Sequence, residues 1–115
     1  MWNVPPPLMC RKHLLGEHVE THMFASCLTK GKHLDGYIDK GLVDISLLRN
    51  RHDSLAKEMV NRGYSHASPM LLDWKGPGTV DSEANVKELA RRCLECRKRI
   101  EAPDRRGEVG GTVAV

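Results

Sequence analysis

Aromatic side chains are the scarcest resource of this chain: Phe, Trp and Tyr make up 4% of its 115 residues. A core short of aromatics must be built from Leu, Val, Ile, Met and Ala, which suits packed helices better than the layers of a β-sandwich. Long apolar runs are also missing. No stretch approaches the roughly 20 apolar residues needed to span a bilayer, and the N-terminus lacks the basic-then-apolar order of a signal peptide. The expected setting is therefore cytoplasmic. There the four cysteines, Cys10, Cys27, Cys93 and Cys96, are expected as reduced thiols and not as a disulfide framework. Internal repeats and low-complexity blocks are absent too.

With 40% hydrophobic residues, the length suffices for one modest core and leaves no room for a second independent domain. The formal charge of +3 permits a nucleic-acid partner without requiring one. Its distribution is more informative. Arg11 and Lys12, Lys30 and Lys32, Arg49 and Arg51, and the Arg91 to Arg99 cluster all lie on or beside expected helices.

Periodicity predicts an all-α fold, a single compact domain of about three helices over residues 1–103. Helix 1 begins near Pro5-Pro6-Pro7, where a proline fits the first turn because its missing N–H would have no helical partner. Leu8, Leu15, Val19, Met23 and Cys27, with Leu14, Phe24 and Leu28 alongside, carry helical spacing to Thr29, and Gly31 ends it. Residues 32–43, with Gly36 and Gly41, read as an irregular connection. Asp44 is an N-cap for helix 2, about 45–62, stopped by Gly63. Residues 64–80, with Pro69, Gly76, Pro77 and Gly78, form a long irregular crossing between helices 2 and 3, with Trp74 in the core. Asp81 caps helix 3, whose buried stripe is Val86, Leu89, Cys93 and Ile100. Residues 104–115, rich in Gly and charge, are expected to be a disordered tail.

The chemistry concentrates on helix 1. His13, Glu17 and Glu20 fall on one helical stripe, which is polar where it could have been apolar. Taken alone, such a pair of glutamates reads as a solvated face.

The segment from His13-Leu14 through Glu17 to Glu20 resembles the His-Leu-x-x-Glu-x-x-Glu stretch of the phage and bacterial pyrimidine-dimer DNA glycosylases of the endonuclease V type. The resemblance continues through Gly41-Leu42-Val43 and Leu47-Leu48-Arg49-Asn50-Arg51-His52. It ends on Glu58-Met59-Val60-Asn61-Arg62-Gly63-Tyr64, similar to that family's basic helix closing in Arg-Gly-aromatic. Order and spacing agree over about the first 70 residues.

The resemblance implies a DNA glycosylase with associated AP lyase activity, acting on pyrimidine dimers or related base damage. The N-terminal α-amine, here that of Met1, attacks the sugar C1′ and forms a Schiff base whose β-elimination cuts the strand. An α-amine has a pKa of about 7.7 to 8.0 against about 10.4 for lysine, so more of it is neutral and nucleophilic at physiological pH. Trp2 is too large for the usual removal of an initiator methionine, so Met1 is expected to be retained. Glu20 carries over as the catalytic carboxylate. Glu17 is the possible second carboxylate, with a salt bridge as its plainer role. The histidines of helix 1, His13, His18 and His22, are read first as hydrogen-bonded structural residues, with site ordering or phosphate contact as the functional alternative.

The partner implied is double-stranded DNA carrying a damaged base or abasic site, bound by a monomer in a bacterium or a phage-infected host cell. Where the family carries arginines around its catalytic glutamate, this chain has Val19 and Met23. Backbone contacts then fall to Lys12, His13, Lys30, Lys32, Arg49 and Arg51, and base contact to Trp2. The family's aromatic C-terminal segment has no counterpart here.

No cofactor is expected. Cys93-Leu94-Glu95-Cys96 has the spacing of half a zinc knuckle, but no second such pair accompanies it. The plainer reading puts Cys93 in the helix core with Cys96 as a nearby thiol. The rival functions are a non-catalytic DNA-binding accessory protein of the same fold and a zinc-stabilised interaction module centred on the last helix.

Overall fold

In the computed structural model, residues 1–102 are described, and the segment expected as a tail lies outside them. The described chain is all-α. A 3₁₀ turn at Pro6–Leu8 precedes α1 (Arg11–Thr29), a short α2 (Asp35–Asp39), a 3₁₀ turn at Ile45–Leu47 that runs into α3 (Leu48–Asn61), α4 (Ser82–Arg92) and α5 (Leu94–Glu101). No strand occurs among the described residues.

The triple proline makes a separate turn because the chain extends again at Met9 and Cys10 before α1 begins. Cys10 caps α1 by accepting the His13 amide on its sulfur. Arg62, which caps the C-terminal end of α3, holds the proline turn by donating to the carbonyls of Pro6 and Met9 at 3.1 and 2.7 Å. Asp44 and Asp81 cap as their sequence positions predict, accepting from Ser46 N at 3.1 Å and Ala84 N at 3.0 Å.

Helix 3 of the sequence reading divides in two. Cys93 takes extended backbone angles (φ −126°, ψ 113°), and its thiol accepts from Cys96 N, so one residue ends α4 and caps α5.

Two apolar clusters form the core. One gathers Val4, Leu8, Met9, Leu14, Leu55, Met59, Leu89 and Cys96; the other gathers Met1, Phe24, Leu34, Val43, Ile45, Leu48 and Met70. Between them the contact of α1 with α3 is polar: Glu17, His18 and Thr21 meet Arg51 and His52, all buried. This layer alters the predicted apolar stripe of α1. Its buried face is Leu14, Glu17, His18, Thr21 and Phe24, while Val19 is 65% exposed. The carboxylate is tolerated inside because Arg51 and the amides of Trp2 and Asn3 pair with it, and the imidazoles because the crossing supplies His66 to His18 and the Ser68 carbonyl to His52.

The crossing 64–80 passes over the second cluster, with Met70 buried and Trp74 packed against it. Gly78 (φ +122°) presses against the backbone of Val43, where a Cβ would collide with the carbonyl.

Candidate active site

The N-terminus is folded into the molecule. The side chain of Met1 is buried in the second cluster, which fixes its amine in place. That amine donates to the carbonyl of Leu42 at 2.7 Å and lies 2.6 Å from Glu20 Oε1. The Trp2 and Asn3 amides donate to the two oxygens of Glu17 at 3.1 and 3.4 Å. From α4, Asn85 donates to the Trp2 carbonyl at 2.8 Å, and the Asn3 side chain donates to Ser82 Oγ at 3.0 Å. Asn3 adopts φ +52°, a left-handed conformation that asparagine tolerates better than most side chains. Three parts of the chain, α1, the segment at Leu42 and α4, thus hold the first three residues.

The two glutamates of α1 divide into distinct environments. Glu17 is buried and receives Arg51 in a fork, Nε to Oε2 at 2.5 Å and Nη2 to Oε1 at 3.1 Å. Its oxygens are saturated by Arg51 and by the amides of residues 2 and 3. Glu20, one helical turn on, keeps 34% of its side chain exposed and faces the amine. Two openings flank it. One, of about 260 Å³, is lined by Met1, Trp2, Glu20, Leu42, Asn85, Glu88 and Arg92. The other, of about 220 Å³, is lined by Trp2, Lys12, His13, Gly16, Glu17 and Glu20.

The remaining sequence-predicted residues scatter. Trp2 shares both openings, with the Arg92 guanidinium 5.6 Å from its ring centroid. Lys12 is exposed beside the second opening. Lys30 and Lys32 are exposed past the end of α1. Arg49 reaches Asp73 at 3.3 Å and Asp53 at 3.9 Å. Arg51 points into the core, where its guanidinium is spent on Glu17. His13 turns its Nδ1 toward cysteine thiols and away from solvent.

Sequence reasoning did not single out Leu42 O, Asn85 or Glu88. All lie more than 40 residues from Met1, and no local pattern joins them to it. By sequence, Arg92 stands out only as part of the Arg91 to Arg99 basic cluster. Arg91 and Arg92 together hold the Glu88 carboxyl down to about 2 through hydrogen bonds.

Behind α1 lies a cluster of imidazoles. His18, His22 and His52 approach with ring centroids 4.8 to 5.0 Å apart, and His66 Nε2 lies 3.0 Å from His18 Nε2. His52 is oriented by Asp53 and by the Ser68 carbonyl, both at 2.9 Å. Burial, and then the neighbouring histidines His52, His22 and His66, push His18 down to about 4. Burial also lowers His22. An unfolded imidazole titrates at about 6.5, so below that value the unfolded chain binds the proton that folded His18 refuses. Stability should therefore fall as pH drops from about 6.5 to about 4. The urea midpoint measured across that range is expected to decline, and the decline should shrink in His18→Gln. An equal decline in that variant would remove His18 as its cause.

Fold and site together define a small helical protein whose terminal amine is clamped against a partly exposed glutamate that lines two openings. Residues 1–72 match the family described as pyrimidine dimer DNA glycosylase, which is more than half of the chain, and the chain belongs to that family. No curated protein and no solved structure matches it. Among the described residues no helix is long and apolar enough to cross a membrane.

Proposed function

We propose that the protein is a base-excision enzyme with AP lyase activity, using the Met1 amine as nucleophile and Glu20 as its proton-transfer partner. The observation that carries this reading is the 2.6 Å contact between Met1 N and Glu20 Oε1 beside an opening to solvent. It joins the family's glycosylase chemistry to an amine that has a base within reach.

Glu20 accepts a proton from the ammonium, freeing the nitrogen lone pair for C1′ of the damaged nucleotide. The N–C1′ bond forms as the glycosidic bond breaks, and the departing base leaves with the bonding pair and gains a proton. Opening of the sugar ring gives the imine. Removal of a C2′ proton then expels the 3′ phosphate oxygen by β-elimination, and water releases the amine. Glu20 is the group at hand for each proton. Its carboxylate also stabilises the cationic sugar as the base departs.

Glu17 has a positioning role here. With both oxygens engaged, it holds Trp2 and Asn3 so that the amine meets Glu20. Duplex DNA with a damaged base or an abasic site is the substrate, bound by a monomer. Lys12, Lys30 and Lys32 are the exposed cations assigned to its backbone, and Trp2 is the ring beside the reacting sugar.

Borohydride reduction in the presence of an abasic duplex tests this directly. A covalent protein–DNA adduct is expected, with the attached sugar mapping to the Met1 nitrogen, and acetylation of the terminus should abolish it. A folded protein that forms no adduct leaves the non-catalytic accessory reading standing. An adduct mapped to a lysine overturns the assignment of the nucleophile.

A further inference from the structure

The CxxC of the last helix is half of a larger constellation. Cys10 and His13, at the start of α1, meet Cys93 and Cys96 at the start of α5, and one ligand atom from each lies within 4.8 Å of the others. Cys10 Sγ is 3.8 Å from Cys93 Sγ, and His13 Nδ1 is 3.2 Å from Cys10 Sγ and 3.5 Å from Cys96 Sγ. A tetrahedral ion with metal–sulfur bonds of about 2.3 Å and metal–nitrogen bonds of about 2.0 to 2.1 Å separates its ligands by about 3.8 Å for S···S and about 3.5 Å for S···N. The Cys10–Cys93 spacing of 3.8 Å and the His13–Cys96 spacing of 3.5 Å match that polyhedron, and the His13–Cys10 spacing of 3.2 Å falls slightly inside it.

A second observation is independent of these spacings. Three of the sulfurs accept a backbone amide: His13 N to Cys10 Sγ at 3.5 Å, Cys96 N to Cys93 Sγ at 3.4 Å, and Cys10 N to Cys96 Sγ at 3.3 Å. Amides directed at sulfur favour the thiolate form that a metal requires. Cys10 and Cys96 are buried, while Cys93 and His13 are half-buried, which shelters the group and leaves a path of entry. Cys10 and Cys93 are also the residues that cap α1 and α5, so the helix ends themselves aim the ligands.

The geometry points to a structural zinc site of the Cys3His type, formed by Cys10, His13, Cys93 and Cys96. Four protein ligands close the coordination sphere, so the ion braces the fold and takes no substrate. On binding, three thiols release their protons and His13 stays neutral, giving the site a net charge of −1. The brace joins residues 80 or more positions apart and holds α4 and α5 against the N-terminal segment, where Asn85 and Arg92 engage Trp2. Cys27 lies outside the cluster, paired with Met23.

Elemental analysis of the full chain purified without a histidine tag and in reducing buffer is expected to show zinc retained through dialysis. Replacement by cobalt(II) should produce visible ligand-field absorption and near-ultraviolet thiolate-to-cobalt charge transfer. Cys93→Ser should lose most of the charge-transfer intensity, and His13→Ala should weaken cobalt binding at least tenfold. Cys27→Ser and His22→Ala should leave the spectrum unchanged, the latter separating this site from the imidazole cluster. A folded, fully reduced wild-type chain with neither zinc nor the cobalt charge-transfer band overturns the proposal, as does a band that survives Cys93→Ser. None of these measurements needs DNA or catalysis, so their outcome is separable from that of the trapping experiment.

Discussion

Glu20→Gln is expected to slow strand cleavage at an abasic site by roughly 10²- to 10⁴-fold, the range associated with loss of a positioned general acid–base group. The isostere keeps an oxygen that can accept from the Met1 amine, so the 2.6 Å contact can persist while its ability to take the proton is lost. Because the Glu20 side chain is about one-third exposed and is not part of either apolar cluster, the variant should fold normally. Single-turnover cleavage, read beside DNA affinity, separates chemistry from binding. Affinity should hold while the rate and the trapped adduct fall together. A rate within about threefold of wild type would remove Glu20 from the proton path, and Glu17→Gln would then be the variant to compare.

The second large effect concerns stability. Arg51→Ala should cost about 3 to 5 kcal/mol, the range for breaking a buried ion pair by removing one partner. The guanidinium supplies two of the four hydrogen bonds received by Glu17; without it a buried carboxylate retains only the Trp2 and Asn3 amides. It also contacts Met9 Sδ at 3.3 Å, so truncation opens space in the first apolar cluster. Urea denaturation gives the loss directly. Replacing both members, Glu17→Gln with Arg51→Met, should recover a large part of it because no unpaired charge remains inside. The double variant should still cleave slowly, since the oriented carboxylate that held residues 2 and 3 is gone. A cost below about 1 kcal/mol for Arg51→Ala would mean that the pair behaves like a solvent-exposed one.

Both outcomes turn on residues that the motif presents side by side. Glu17 and Glu20 share a helical stripe, and the spacing by itself leaves the roles of two such carboxylates open. In the structure Glu17 faces α3 and Glu20 faces the terminal amine. Arg51 illustrates the same limit. Next to Arg49 in a basic segment it reads as a surface cation, yet the helical rotation between positions 49 and 51 leaves one at the surface and buries the other. The CxxC pair reads as incomplete because Cys10 and His13, which complete the group, lie 80 or more positions earlier in the chain.

The sequence by itself determined what local physics controls. Scarce aromatics and helical periodicity made the chain all-α, Asp44 and Asp81 marked helix starts, and the glutamate motif named the family. Helix existence and capping depend on neighbours within about four residues, so they are written locally. Tertiary structure decided which faces meet. It folded Met1 back onto Glu20, assigned Glu17 to Arg51, assembled four imidazoles, broke the last helix at Cys93 and brought Cys10 and His13 to the CxxC. The reason is physical: periodicity shows that a helix has a face, while the element that covers that face sets whether a carboxylate there is buried against a guanidinium or left partly exposed beside the terminal amine.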